Sequence, residues 1–136
     1  MVVNRLCLRA SAAAGREIAS FVCGLADQVG LTAAQVYRLR LAADEIVTNI
    51  TLHGYRGKPG PVELVGGIEP DRVWLCIVDE GPPFDPTTHD PKPRLAEPTV
   101  GPEGGFGQFL ALSGVDDFAY DRKGGQNRNT LIMRRP

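Results

Sequence analysis

The sequence is short of almost everything that would mark a secreted, membrane-embedded or nucleic-acid-binding chain. Cysteine is scarce: Cys7, Cys23 and Cys76 are an odd set with no C-x-x-C pair, which suits reduced thiols and not a disulfide framework. No charge of one sign predominates, because 15 Lys+Arg face 16 Asp+Glu for a formal net charge of −1. Such a balance offers no electrostatic reason to bind DNA, RNA or an anionic membrane. No apolar run approaches the roughly 18–20 residues that cross a bilayer, and the N-terminus lacks a signal-peptide layout. What is left is a cytoplasmic class of protein. At 136 residues and 43% apolar composition, one domain over residues 1–136 is expected, burying roughly two-thirds of the surface its unfolded chain exposes.

Hydropathy patterning then orders the chain. Val3 to Arg9 alternates apolar and polar residues, as a half-buried strand does. Ser11 is the expected N-cap of a helix reaching Val29, with Ala14, Ile18, Phe21, Val22 and Leu25 inward and Gly30 as its terminator. Thr32, with Gln35 three residues on, has the form of a capping box. The helix it opens carries Val36, Leu39, Ala43, Ile46, Val47 and Ile50 at helical spacing and is expected to end near His53-Gly54. Arg56 to Pro61 is a turn; Val62–Ile68 and Arg72–Asp79 are strands joined as a hairpin at Glu69-Pro70-Asp71. Seven of the eleven prolines fall between Gly81 and Pro102, a long segment of the kind that is usually a functional lid or disordered. A short helix over Gly105–Leu112 and a closing hairpin, Val115–Asp121 and Arg128–Arg134 across Lys123-Gly124-Gly125, complete the order β-α-α-β-β-lid-α-β-β. Helices gathered on one face of a mostly antiparallel sheet are the natural α+β solution, a two-layer sandwich.

Three segments carry chemistry. Glu45, Asn49 and His53 recur every four residues on the second helix, a polar row that drifts about 40° per step. Leu41, Ala42 and Leu52 border it. A carboxylate against apolar surface suits a general base, and an Asn oxygen one turn away is a ligand that Mg²⁺ accepts alongside water and phosphate. The same spacing also describes a solvated helix face. In Val73–Gly81, the two-residue period puts Asp79 on the face of Val73, Leu75 and Ile77. A carboxylate there needs donors: the backbone N–H groups of a turn that Asp79 begins, a satisfied core partner, or a ligand's amino group. Trp74, Cys76 and Val78 make the opposite face apolar, to be covered by other chain or by a second subunit. Gly104, Gly105 and Gly107 lead into the short helix; this is either a phosphate cradle or a flexible hinge.

Taken in order, these segments resemble the nucleotide-binding boxes of the Bergerat-type ATPases, and within them the anti-sigma-factor serine-protein kinases. The E-x-x-x-N-x-x-x-H box is Glu45, Asn49 and His53; the D-x-G box is Asp79 and Gly81, extended through Phe84, Asp85 and Pro86; the glycine box is GGFGQFLAL. The resemblance implies a Bergerat-type ATP-binding fold with a nucleotide lid at about 81–104. It implies Asn49 as the Mg²⁺ ligand and Glu45 as the base that receives the attacking hydroxyl's proton. Asp79 then takes the adenine amino group, Gly81 makes room for the ring, and Phe84 belongs to the same nucleotide-binding set. Gly105 and Gly107 face the phosphates, and Gly104 belongs to the same nucleotide-binding set. Thr130 is implied as a phosphate contact, although Asn129 stands where the family has Gly. Glu103 departs from the family's basic residue near the phosphates and is expected to point away. His53 is read as structural and His89 as a solvent-exposed lid residue.

The implied function is that of an ATP- and Mg²⁺-dependent protein-serine/threonine kinase acting as an anti-sigma factor. It would bind and inhibit a sigma factor and phosphorylate an anti-anti-sigma antagonist on serine. A homodimer is implied, with no direct nucleic-acid or membrane partner. The alternative is a nucleotide-sensing regulatory module without kinase turnover.

Overall fold

The computed structural model describes residues 2–11, 13–56, 60–84 and 112–136. Strand β1 (Val2–Arg9) is followed by helices α1 (Gly15–Val29) and α2 (Ala33–Asn49), and α2 runs on as a single π turn, Ile50–Gly54. Strands β2 (Pro61–Ile68), β3 (Arg72–Asp79), β4 (Asp117–Lys123) and β5 (Gln126–Arg134) complete one sheet of order β1-β2-β3-β5-β4. Every pairing in it is antiparallel. Both helices pack on one face: α1 against β2, and α2 against β3 and β5. The α+β two-layer sandwich expected from the sequence is the fold observed.

Period-2 patterning decides what each strand gives to the core. Leu8, Val62, Leu64, Val73, Leu75, Ile77, Leu131 and Met133 all face the helices and are buried. Ile18, Val22 and Leu25 of α1 and Leu39, Ala43, Ile46 and Val47 of α2 meet them. Gly66 admits α1 to the sheet, because a Cβ there would stand 2.5 Å from Leu25 Cδ1. The helix ends follow local chemistry. Gly30 closes α1 in the left-handed region at φ 69°, and Thr32 and Gln35 form the reciprocal capping box of α2 at 3.0 and 3.1 Å.

Two boundaries differ from the sequence expectation. Ser11 does not cap α1; its Oγ accepts from the Ala13 amide at 3.2 Å, and the helix begins at Gly15 behind Ala14. Ala10 is still tied to the Gly60 carbonyl at 2.8 Å, and the Ala14 amide donates to the Ser11 carbonyl at 3.2 Å ahead of the helix. The closing hairpin is tighter than expected. Gly124 and Gly125 both hold positive φ (59° and 78°) in a two-residue turn, the geometry that matches strand twist. β5 therefore starts at Gln126 and not Arg128, which brings Asn127 into the ladder opposite Asp79.

The sheet's outer face is mixed, not simply apolar. Trp74 and Cys76 are half-buried there, beside the Arg5–Glu63 and Arg128–Asp121 ion pairs. Burial pushes the Cys76 thiol up, against a hydrogen bond with Thr130 that pulls it down.

Candidate functional site

The C-terminal end of α2 builds one wall. Asn49 lies on the flank of the buried stripe and is 5% exposed, and its Nδ2 donates to the Glu45 carbonyl at 3.1 Å. Glu45, one turn earlier, is half-buried, with its Oε1 shielded from solvent. The polar row then breaks. The Tyr55 amide donates to the Ile50 carbonyl at 2.8 Å, five residues back, so the helix widens by one residue over Ile50–Gly54. In an unbroken α-helix the four-residue step would carry His53 about 40° further toward the core. The wider turn takes that drift back, and His53 stands exposed, stacked on Phe84 with centroids 6.4 Å apart and planes at 15°.

The end of β3 builds the second wall. Asp79 is 3% exposed and shares the inward face of Leu75 and Ile77, as its spacing predicted. The carboxylate has protein donors: the Gly81 amide at 2.8 Å and Asn127 Nδ2 at 3.0 Å, both to Oδ1. Gly81 is buried and closely packed: a Cβ there would lie 3.0 Å from Asp79 Oδ1 and 3.3 Å from Gly54 Cα. On its other side the glycine packs against the π turn's backbone at Gly54. Tyr55 links the pieces: its hydroxyl donates to the Pro61 carbonyl at 2.6 Å and accepts from the Glu80 amide at 2.9 Å.

The third wall, β5, corrects the sequence reading. Thr130 pairs with Cys76 in the ladder and faces the outer groove of the sheet, away from Asn49 and Asp79. The inward positions are Asn127 and Asn129, 2% and 3% exposed, on the face of Leu131 and Met133. Sequence reasoning passed over Asn127 and treated Asn129 only as a departure. The signal was available, since alternation through Asn127-Arg128-Asn129-Thr130-Leu131 puts both amides with the apolar residues. Asn129 Oδ1 is buried with no hydrogen-bond partner among the described residues.

These walls enclose one cavity, lined by Ile46, Asn49, Ile50, Gly54, Asp79, Pro82, Phe84, Asn127 and Asn129. Asn49 and Asp79, distant in sequence, are brought to it together. Glu45 is not among the lining residues described. Gly104, Gly105 and Gly107, the short helix they lead, Asp85, Pro86, His89, Glu103 and most of the 81–104 lid lie outside the described residues. The lining is chiefly apolar with a few convergent polar atoms. A buried orphan acceptor costs free energy unless something donates to it, so Asn129 fits a ligand with N–H groups. No group of three His, Cys, Asp or Glu suited to a metal occurs among the described residues. Asn49 offers one neutral oxygen-bearing side chain, which fits a Mg²⁺ ion whose remaining ligands are water and substrate phosphate.

Comparison with known proteins agrees with this geometry. Residues 8–135 match the family described as the Histidine kinase-like ATPase domain. Serine-protein kinase RsbW of Bacillus subtilis (strain 168) is 32% identical over 99 residues, covering 69% of this chain and 62% of that protein. The RsbW proteins of Bacillus licheniformis and Bacillus cereus (strain Q1) are 32% and 28% identical, with 69% and 71% of this chain and 62% of each relative covered. The chain therefore spans about three-fifths of the length of these curated relatives. A crystal structure of the RsbU and RsbW domains of Rv1364c from Mycobacterium tuberculosis superposes with a TM-score of 0.67 at 17% identity, over 100% of this chain and 34% of that one. The Acinetobacter baumannii histidine kinase AdeS gives 0.51 at 15% identity, over 99% and 69%. With its sheet, helices and cavity arranged in this way, the chain belongs to the histidine kinase-like ATPase domain family.

Proposed function

We propose that the protein is an ATP-dependent protein-serine/threonine kinase that also acts as an anti-sigma factor. It would hold a sigma factor inactive and phosphorylate an anti-anti-sigma antagonist on serine, as a cytoplasmic homodimer. The observation that carries the reading is the meeting of Asn49, Asp79 and the orphan Asn129 amide in one cavity. The relatives' name, serine-protein kinase, supports the activity class. The half-buried Trp74 on the outer sheet face supports a subunit contact there.

In this reading Asp79 accepts the adenine amino group, and Phe84 closes the cavity beside it. Asn49 would hold Mg²⁺, which would supply charge neutralisation at the phosphates. Gly104, Gly105 and Gly107 would present backbone N–H groups to the same phosphates. Glu45, one helical turn before Asn49, would accept the proton of the attacking serine hydroxyl. Its work is chiefly orientation, since phosphoryl transfer rests on positioning and electrostatics.

The test mixes the protein with Mg-ATP and candidate antagonists and follows phosphate transfer. Glu45→Gln is expected to retain nucleotide and lose transfer; transfer at the normal rate would remove the base assignment. Asp79→Asn is expected to abolish nucleotide binding, and unaltered affinity would remove the adenine assignment. A second reading, a nucleotide-sensing module without turnover, is favoured by one observation: Glu45 stands apart from the cavity lining. Nucleotide binding without transfer to any antagonist would decide for it.

A further inference from the structure

Asn127 is the most heavily used side chain in the site. It is 2% exposed and stands directly opposite Asp79 in the β3–β5 ladder. Its Nδ2 donates to Asp79 Oδ1 at 3.0 Å, the Pro82 carbonyl at 2.9 Å and the Gly81 carbonyl at 3.2 Å. Its Oδ1 accepts from the Tyr120 hydroxyl and from Arg122 Nη1 at 3.1 Å. Arg122 Nη1 also donates to the Gly81 carbonyl at 3.0 Å. A carboxamide has two N–H donors and one oxygen, and here acceptors surround the nitrogen while donors meet the oxygen. The amide has one orientation that fits, since the flipped form would set oxygen against three acceptors.

The consequence falls on Asp79. With the Gly81 amide and Asn127 both on Oδ1, the carboxylate is held in a single rotamer. Hydrogen bonds to an ionised acceptor are directional and strong, so Oδ2 is presented to the cavity along a set direction. The same amide grips the two carbonyls through which the chain leaves β3. Tyr120 and Arg122, from β4, hold the amide in turn.

We propose that Asn127 is a positioning residue that sets base selectivity by locking the Asp79 carboxylate, with Tyr120 and Arg122 of the β4–β5 hairpin as its supports. This rests on the nucleotide reading above. A locked carboxylate accepts from one exocyclic amine in one place; a released one rotates and loses the discrimination.

The test measures equilibrium affinity of the full chain for ATP and for purine riboside 5′-triphosphate, which lacks the 6-amino group. The wild-type protein is expected to prefer ATP about tenfold or more, the usual worth of a hydrogen bond to a charged group. In Asn127→Ala the ratio falls toward one, and in Tyr120→Phe, which removes one support, it falls part of the way. Tyr120→Phe also serves if Asn127→Ala fails to fold. Equal weakening for both nucleotides, with the ratio kept, would reduce Asn127 to a structural residue and overturn the proposal. Absence of any preference in the wild type would instead sink the Asp79 assignment, and this inference with it.

Discussion

The His53 imidazole lies over the Phe84 ring, 6.4 Å between centroids and nearly parallel, so the π turn after α2 and the chain leaving β3 meet across the mouth of the cavity. Aromatic pairs of this kind contribute about 0.5–1.5 kcal/mol. Phe84→Ala should therefore weaken ATP binding roughly two- to tenfold, and His53→Ala should weaken it less, because Phe84 alone lines the cavity. Calorimetric titration reads both, and unchanged affinity in Phe84→Ala would separate the stack from the site.

Gly81→Ala should damage binding through backbone geometry alone. The new methyl would press on Asp79 Oδ1 and on Gly54 Cα, and backbone atoms do not swing aside as side-chain tips do. Overpacking of this kind costs about 1–3 kcal/mol. A lowered melting temperature together with lost nucleotide affinity is expected; a variant of normal affinity would show that the D-x-G turn can shift freely.

Tyr55→Phe should destabilise the fold by about 1–2 kcal/mol, since one hydroxyl serves both the Pro61 carbonyl and the Glu80 amide. The pH dependence has a definite sign. Burial chiefly, with the charges of Asp79 and Glu80, raises the Tyr55 phenol above its ordinary 10.0, against the Glu80 amide bond that lowers it. A raised folded value means stability present below pH 10.0 and lost as pH rises through that folded value. Denaturant midpoints compared across alkaline pH should converge between wild type and variant; parallel curves would remove Tyr55 as the titrating group.

Asp44→Asn should stabilise the protein at neutral pH. Burial raises the Asp44 carboxyl above its ordinary 3.8 despite Arg40 at 3.7 Å, and its Oδ1 is buried without a hydrogen-bond partner among the described residues. The contribution of a raised carboxyl is complete below pH 3.8 and is lost as pH rises through its folded value. The variant's advantage should thus vanish in acid; an advantage equal at pH 3 and pH 7 would argue against desolvation of the charge.

Much of this molecule is written in short-range chemistry. The capping box of Thr32 and Gln35, the left-handed Gly30 and the two-residue period that turns Asp79 inward each depend on a handful of neighbouring residues, and each can be read along the chain. The π turn could not be read so. Ile50 is the last apolar residue of the helical stripe, and nothing in Thr51–Gly54 marks the widened hydrogen bond, which forms where Gly54 packs against Gly81 from another element. Nor could the sequence decide that Asn127 meets Asp79, 48 residues away. That pairing depends on the register of β5 on β3, which the Gly124-Gly125 turn and the shared core set together. Local hydrogen bonding and side-chain periodicity chose the elements and the faces they bury. Only the non-local ladder decided that the inward amides of β5 look into the same cavity as Asp79 and that Asn127 stands beside that acid.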